Sequence, residues 1–415
     1  MFRLVATTFS GAEEVLSKEL KALGAGEIKT LSRAVEFTGN TEIMYKANLF
    51  CRTAFRILKP FSTFKVNDEI ELYKQCKEIS WEELMTADDT FAIEAVSSHE
   101  KLNHTLYIAQ KIKDAIADRF RAKSGKRPSV DLANPRYAIH AYVEKDKCTL
   151  SLDSSGGSLH KRGYRISATG APLNEALAAG LILLSGWEGS TNFYDPMCGS
   201  GTFLIEAAML ALNIPSGMYR KGFGFQRWRN FEEELWNGIL AKAKSGIKNS
   251  LDIKICGADI SEGSVRAANI NIKNAGLEKF ISVEKKSFND FMPQGESGMV
   301  MINPPYGGRL DASPLPATST PSHRQAGPTP LQRRGELAMS SPREDIGLLY
   351  KEIGNHLKKN FTGHVTWILT ANREAAKQIG LHSSKKIQVY NGPLECRFMK
   401  FELYSGSKKR NEPTE

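Results

Sequence analysis

Residues 192–213 read NFYDPMCGSGTFLIEAAMLALN. A strand end, Asn192–Pro196, passes through the glycine-bearing turn Met197–Gly201 into an apolar helix that starts at Thr202. Gly199 and Gly201 allow a tight turn and let backbone N–H groups approach a ligand at the helix N-terminus. The turn is not a P-loop, because G-x-x-x-x-G-K-[ST] is absent, and Leu204 stands where the full dinucleotide fingerprint has its third glycine. A lone G-x-G is a weak signal, so its context decides. KICGADIS (254–261), ISVEKK (281–286), GMVMINPP (298–305) and HVTWILTAN (364–372) read as further strands. EGSVRAANINIKNAG (262–276) and DIGLLYKEIGNHLKKNF (345–361) read as helices between them, and KKIQVYNG (385–392) with ECRFMKFEL (395–403) closes the sheet. Apolar strands alternating with helices predict a parallel, doubly wound α/β domain over 191–405.

Upstream the pattern changes to small α+β units. RLVATT (3–8) and AVEFTG (34–39) read as strands, each followed by a helix: GAEEVLSKELKALG (11–24), with Gly24 at its C-cap, and NTEIMYKANLF (40–50), capped by Asn40 or Thr41. TFAIEAVSS (90–98) is a strand and AIHAYVEKDKCTLSLDSS (138–155) a hairpin turning at Glu144–Lys147. Between them TLYIAQKIKDAIADRFRAK (105–123) is amphipathic, with Ile108, Ile112, Ala115, Ile116 and Phe120 on one stripe. Its other face carries Lys111, Lys113, Arg119, Arg121 and Lys123, which suits either a solvated face or an RNA-facing patch. The division expected is 1–58, 59–155, a connector with the first catalytic-domain helix at 156–190, the domain at 191–405, and a disordered tail at 406–415. Residues 311–342 carry Pro, Ser and Thr without periodicity and are expected to be a passive insertion rather than a lid.

With 415 residues the chain exceeds one ordinary core. The net charge of +10, with pI near 9.1, permits a polyanionic partner without requiring one. Six scattered cysteines without a C-x-x-C suggest neither a disulfide framework nor a zinc site. No signal-peptide core and no bilayer-spanning apolar run is present, so a reduced cytoplasmic protein without membrane attachment is expected.

Three segments converge at the carboxyl ends of the predicted strands, where doubly wound folds bind ligands. Asp195, Pro196, Cys198, Gly199, Ser200, Gly201 and Thr202 form the first. Asp259, ending the second strand, is placed to accept both ribose hydroxyls of a nucleoside cofactor; the bland alternative is a helix N-cap. Asn303, Pro304, Pro305 and Tyr306 end the fourth strand. An amide oxygen and a proline carbonyl can accept both N–H groups of an aromatic amine, the prolines stiffen that backbone, and Tyr306 can stack on the ring. Cys198 lacks the proline–cysteine setting of cytosine-C5 methyltransferases and reads as a packing residue. Tyr219–Arg229 interleaves bases and aromatics, including Arg220, Lys221 and Trp228, consistent with RNA contact or with a loop packed by its own rings. His160–Arg165, with Lys161, Arg162 and Arg165, joins the two halves and suits cofactor or RNA contact, or interdomain packing.

Together D-P-x-C-G-S-G-T, the acidic second strand and N-P-P-Y resemble S-adenosylmethionine-dependent methyltransferases that act on exocyclic amines of nucleobases. FRLVATTFSGAEEVLSKELKALGA, LDSSGGSLHKRGYR, APLNEALAAGLILLSGW, YDPMCGSGTFLIEAAMLA, INPPYGGRL and NGPLEC sit in the order of the THUMP-containing 23S rRNA guanine-N2 methyltransferases, the amino-terminal half of the bacterial fused large-subunit enzyme. The resemblance implies a ferredoxin-like domain, a THUMP RNA-binding domain and a Rossmann-like class I methyltransferase domain. It implies S-adenosylmethionine as cofactor, 23S rRNA or a precursor large subunit as partner, a monomer, and no metal. It places Pro172 and Glu175 near the cofactor's methionine end. Where the family often has an aspartate at the adenine amine, this chain has Ser287, leaving Ser287, Asp290 or backbone for that contact. The long insertion is a second departure. The second methyltransferase half of the fused enzymes does not follow, so one activity is expected. N6-adenine methylation of DNA, guanine-N2 methylation of tRNA, and a non-catalytic RNA-binding or ribosome-assembly role are the alternatives. The THUMP-like half favours structured RNA.

Overall fold

The computed structural model describes residues 1–168, 170, 172–307 and 342–404, with the side chains of 342–345 excepted. The insertion expected at 311–342 and the tail at 406–415 lie outside these, save that a helix backbone begins at Pro342.

The N-terminal half supplies β1 (Phe2–Thr7), α1 (Glu13–Ala22), β2 (Gly26–Leu31), β3 (Ala34–Gly39), α2 (Thr41–Phe50), β4 (Arg56–Lys65), α3 (Glu69–Glu78), α4 (Trp81–Leu84), β5 (Thr90–Ser97), α5 (Thr105–Ser124), β6 (Ser129–Val130), β7 (Tyr137–Glu144) and β8 (Lys147–Asp153). The strands form one eight-stranded sheet in the order β2-β3-β1-β4-β8-β7-β5-β6. The long β4 unites the ferredoxin-like and THUMP-like units, pairing with β1 through Ile57 and Leu58 and with β8 through Leu58–Lys65. Its register shifts between Pro60 and Ser62, where proline has no N–H to give the ladder. Asn40 caps α2 by accepting from the Ile43 N–H at 3.0 Å. The stripe of α5 is buried as its periodicity predicts, with Ile108, Ile112, Ala115 and Ile116 fully covered.

The C-terminal half supplies α6 (Glu175–Ser185), β9 (Phe193–Asp195), α7 (Thr202–Ala211), α8 (Glu233–Ser245), β10 (Ile255–Asp259), α9 (Glu262–Asn274), β11 (Ile281–Lys285), β12 (Met299–Ile302), α10 (Pro342–Asn360), β13 (Val365–Thr370), α11 (Arg373–Lys377), β14 (Lys385–Asn391) and β15 (Leu394–Glu402). The sheet order is β11-β10-β9-β12-β13-β15-β14, parallel from β11 to β13, with β15 antiparallel to both β13 and β14. Strand order reverses at β9, so the crevice beyond the ends of β9, β10 and β12 is the topological switch point.

The halves interlock. Phe223, Phe225, Trp228 and Trp236 belong to the N-terminal core, where Tyr45 stacks on Phe225 with centroids 4.1 Å apart. Phe9 and Ala12 belong in turn to the core of the parallel sheet. Each half thus completes its core with side chains from the other, and burying each large ring contributes about 1.5–3 kcal/mol relative to exposure.

Candidate active site

The turn between β9 and α7 is a cradle. Gly199 has φ +53° and Gly201 φ +82°, conformations that L side chains rarely adopt. A Cβ at Gly199 would meet nothing within 4 Å, so that face of the turn is open. One at Gly201 would press on Ala268 Cβ at 3.2 Å, which seats the turn against α9. Pro196, Cys198 and Ser200 are buried beneath the turn and Thr202 opens α7. Burial pushes the Cys198 thiol up, with the charges of Asp195 and Asp259 adding to it, and the Cys198 N–H donates to Ala258 O at 2.9 Å. Such a thiol is a packing group rather than a nucleophile.

Asp259 is half-buried at the end of β10. Its Oδ2 accepts from the Gly199 N–H at 3.0 Å and its Oδ1 from the Ser261 N–H at 2.9 Å. The N-cap of α9 is Ser261, whose side chain accepts from the Ser264 N–H, so Asp259 is not the cap. Each carboxylate oxygen keeps lone-pair capacity for a ribose hydroxyl, and two backbone donors fix its plane. The cradle therefore fits an adenosine-bearing cofactor. Asp195 differs: it is 2% exposed, and burial raises its carboxyl well above the usual range, with the Asp259 charge adding to this. Its Oδ1 accepts from the Met197 N–H at 3.2 Å, which shapes the turn from beneath. Beyond β11, Ser287 Oγ donates to Asp290 Oδ2 at 2.6 Å, so the two candidates for the adenine amine form one polar unit. Pro172 is exposed just before α6, and Glu175 is buried in its first turn.

Asn303 follows β12 directly. It is half-buried, Pro304 is buried and Pro305 exposed. The Tyr306 hydroxyl donates to Asn303 Oδ1 at 2.6 Å, and the Asn372 side chain donates to Tyr306 O at 2.9 Å. Burial pushes the Tyr306 hydroxyl far above its ordinary value, and Cys396 of β15 lies 3.9 Å from it. Tyr350 donates to Pro305 O at 3.3 Å and shares a 2.6 Å hydrogen bond with Thr370. β13, β15 and α10 thus brace the Asn303–Tyr306 loop.

The basic residues sort differently from the sequence expectation. Arg162 is corrected from an RNA-facing to a buried residue: it is 1% exposed, pairs with Glu206 at 3.4 Å, and donates to Leu159 O at 2.9 Å and to Arg52 O. Trp228 is corrected likewise, since its ring is 5% exposed in the N-terminal core. Arg220 is half-buried and donates to Ser158 O and Lys161 O, both at 2.9 Å, so it ties the 219–229 segment to the connector. Arg119 pairs with Glu82 at 2.8 Å and Lys123 joins the same carboxylate, while Arg121 pairs with Asp118 at 3.1 Å. Lys161 and Lys221 are exposed, and half-buried Lys111 lies 5.3 Å from the Tyr107 ring centroid.

One functional candidate carried no motif in the sequence, and a second, Arg165, stood in the basic run of the connector. Asn271 of α9 accepts from the Ile166 and Ser167 N–H groups at 2.9 and 3.0 Å and donates to Ser167 O and Ser200 O. It clamps the connector to the cofactor turn, and its only sequence signal is a polar residue on a face that the helical period makes buried. Arg165 donates to Glu175 Oε1 at 2.9 Å, Leu173 O at 2.8 Å and Thr202 Oγ1 at 3.0 Å, so it faces the cofactor turn. Among the described residues no cluster of three or more His, Cys, Asp or Glu is arranged for a metal, and no helix is long and apolar enough to cross a membrane.

Comparison with known proteins assigns the parts. Residues 3–58 match the RlmL ferredoxin-like domain, 63–153 the THUMP domain, and 162–317 the RMKL-like methyltransferase domain. A Synechocystis sp. protein that bears the provisional name of an RNA methyltransferase is 35% identical over 96% of both chains. The ribosomal RNA large subunit methyltransferase K/L of Syntrophotalea carbinolica is 36% identical over 97% of this chain and 53% of its own; the chain spans about half the length of such K/L relatives. A crystal structure of a protein provisionally described as a methyltransferase, complexed with SAH, superposes with a TM-score of 0.81 at 29% identity over 98% of this chain and 99% of the other. SAH is the demethylated product of S-adenosylmethionine, which makes S-adenosylmethionine the cofactor. The chain belongs to the family of S-adenosylmethionine-dependent RNA methyltransferases that join a RlmL ferredoxin-like domain, a THUMP domain and an RMKL-like methyltransferase domain.

Proposed function

We propose that the chain methylates the exocyclic N2 of a guanosine in 23S rRNA, free or in a precursor large subunit, acting as a cytoplasmic monomer. The position of Asn303–Tyr306 at the end of β12, beside the β9 cradle and within the switch-point crevice, supports methylation of an exocyclic amine, and the RlmL ferredoxin-like and THUMP domains turn the reading from DNA adenine toward guanosine in ribosomal RNA. The cofactor supplies an electrophilic methyl group on a sulfonium sulfur. The residues supply position. A guanine amine is a poor nucleophile because its lone pair is delocalised into the ring. Asn303 Oδ1 and Pro304 O accept its two N–H bonds, which favours a pyramidal nitrogen with its lone pair free. The two prolines fix these acceptors, and alignment of nucleophile and methyl group supplies most of the acceleration. The base enters unstacked, at a cost of a few kcal/mol, and the Tyr306 ring offers a surface for it. Asp259 holds the ribose, the Ser287–Asp290 pair the adenine, and Glu175 with Pro172 borders the methionine end. Exposed Lys161 and Lys221, with half-buried Lys111, meet phosphates.

The test is mass spectrometry of nucleosides from rRNA and tRNA, and of bases from DNA, in a strain lacking the chain. Loss of N2-methylguanosine from 23S rRNA supports the reading. Loss confined to tRNA, or loss of N6-methyladenine from DNA, overturns it.

A further inference from the structure

We propose that Asn372 is a positioning residue for methyl transfer, whose carboxamide sets the backbone of the Asn303–Tyr306 loop from the end of the neighbouring strand. The proposal rests on the reading of that loop as the target-amine site. β12 and β13 run parallel with Ile302 beside Ile368, so the loop leaving β12 passes the end of β13. There Asn372 Nδ2 donates to Tyr306 O at 2.9 Å. The Asn372 backbone N–H donates to Thr370 Oγ1 at 3.0 Å, Thr370 shares a 2.6 Å hydrogen bond with Tyr350, and Tyr350 donates to Pro305 O at 3.3 Å. A phenol has one hydrogen; donated to Pro305 O, it leaves Thr370 as the donor across 2.6 Å. Every bond of this relay then points one way, from the Asn372 N–H to the Pro305 carbonyl. Burial pushes the Tyr350 hydroxyl up to about 12, which keeps its proton in place for the last bond.

Two successive peptide planes, Pro305–Tyr306 and Tyr306–Gly307, are thus held by hydrogen bonds that both begin at Asn372. These planes flank the Tyr306 Cα, and the Tyr306 hydroxyl in turn orients Asn303 Oδ1 at 2.6 Å. Rotation of either plane swings the ring and releases that oxygen. Alignment is what such a loop contributes to the reaction, so a small misplacement is felt in kcat. Asn372 is also the N-cap of α11, where its Oδ1 accepts from the Ala375 N–H at 2.9 Å. The two partners fix the amide, because the flipped group would set oxygen against the Tyr306 carbonyl and N–H against N–H at Ala375. Capping alone is served as well by Asp or Ser. The bond to Tyr306 O is not, since aspartate offers that carbonyl a second acceptor and the short serine hydroxyl does not hold both partners.

The test is steady-state methyl transfer from S-adenosylmethionine to 23S rRNA of a strain lacking the chain, with thermal melts and S-adenosylhomocysteine calorimetry on the same proteins. Asn372→Ser and Asn372→Asp both keep a cap for α11, so each should melt within about 3 °C of wild type. In Asn372→Ser kcat should fall about tenfold, for one lost orienting hydrogen bond. It should fall further in Asn372→Asp, which sets a carboxylate against the Tyr306 carbonyl. KM for rRNA and affinity for S-adenosylhomocysteine should stay within about twofold in both. A kcat within about twofold of wild type in both variants overturns the proposal. So does a joint loss of Tm, KM and S-adenosylhomocysteine affinity, the signature of a purely structural role. Asn303→Ala separates the proposal from the reading beneath it. If that chain transfers at near wild-type rate, or if wild type leaves the rRNA unmethylated, the target-amine reading falls and the proposal with it. An inactive Asn303→Ala beside fully active Asn372 variants overturns the role of Asn372 alone.

Discussion

Tyr306 donates its hydroxyl hydrogen to Asn303 Oδ1 across 2.6 Å. The oxygen proposed to receive the target amine is therefore already oriented by the residue proposed to stack on the base. A carboxamide can turn its oxygen or its nitrogen toward the pocket. A phenol donor on Oδ1 fixes the oxygen in place and leaves a second lone pair for the substrate.

Tyr306→Phe keeps the ring and removes that donor. Its kcat should fall about tenfold, as expected for one lost orienting hydrogen bond, with KM for RNA nearly unchanged. An undiminished kcat in steady-state assays would make the hydroxyl a bystander.

Asn303→Ala removes the acceptor itself. Methyl transfer should drop at least about 100-fold, the scale of losing one preorganised polar contact to the reacting group, while affinity for S-adenosylhomocysteine stays within about twofold. Near wild-type transfer by the purified variant would sink the assignment of the target-amine site.

The two aspartates of the cradle should respond in opposite ways. Asp259, the proposed ribose partner, is oriented by the Gly199 and Ser261 N–H groups, so Asp259→Ala should weaken S-adenosylhomocysteine binding about 10- to 100-fold. Asp195 lies beneath the turn, where burial raises its carboxyl well above the usual range, and Asn keeps the Oδ1 that accepts from the Met197 N–H while removing the buried charge. Asp195→Asn should keep affinity within about threefold. Calorimetry that ranks the two variants the other way would exchange their roles.

Much of this site was legible in the sequence because strand ends impose order. A glycine turn after one apolar strand, an acid after the next and N-P-P-Y after the fourth must meet at one edge of a doubly wound sheet. What was not legible depends on burial, which residue type does not reveal. Arg162 and Lys161 are neighbours in a basic run, yet one pairs with Glu206 inside the protein and the other is exposed. The rings of 219–229 suit RNA as well as a core, and only the tertiary fold seats Phe223, Phe225 and Trp228 against Tyr45 and its surroundings. β4 and β2 lacked clean alternation for local reasons. Pro60 accompanies a register shift in one, and the other is mostly exposed, with an irregular register between Gly26 and Lys29.

The contrast between Lys161 and Arg162 is itself testable. Lys161→Ala and Lys221→Ala should each weaken RNA binding and lower the dependence of log K on log salt by up to about one unit, without changing Tm. Arg162→Ala leaves buried Glu206 with only the Tyr164 hydroxyl and the Arg52 charge, and loss of one member of a buried pair costs up to about 3–5 kcal/mol, so its first effect should be a lower Tm. A stable Arg162→Ala chain with a reduced salt slope would return Arg162 to the RNA-facing set.

His160 adds a pH dependence to the same connector. Burial, followed by the charges of Lys161, Arg162, Arg165 and Arg220, lowers its pKa to about 4 in the folded chain, and its Nδ1 lies 2.6 Å from Ser158 Oγ. An unfolded histidine titrates near 6.5. Above pH ~6.5 the ring is neutral in both states and the folded chain loses nothing. Between about 6.5 and 4 the unfolded chain takes up a proton that the folded chain refuses, so stability falls as the solution is acidified. Below about 4 both states are protonated and the contribution is flat. Thermal melts from pH 7.5 to 4.5 should therefore show a falling Tm whose slope is shallower in His160→Asn. Other groups titrate in that range, so the informative quantity is the difference between variant and wild type. Parallel slopes would show that His160 is not held neutral by its basic neighbours.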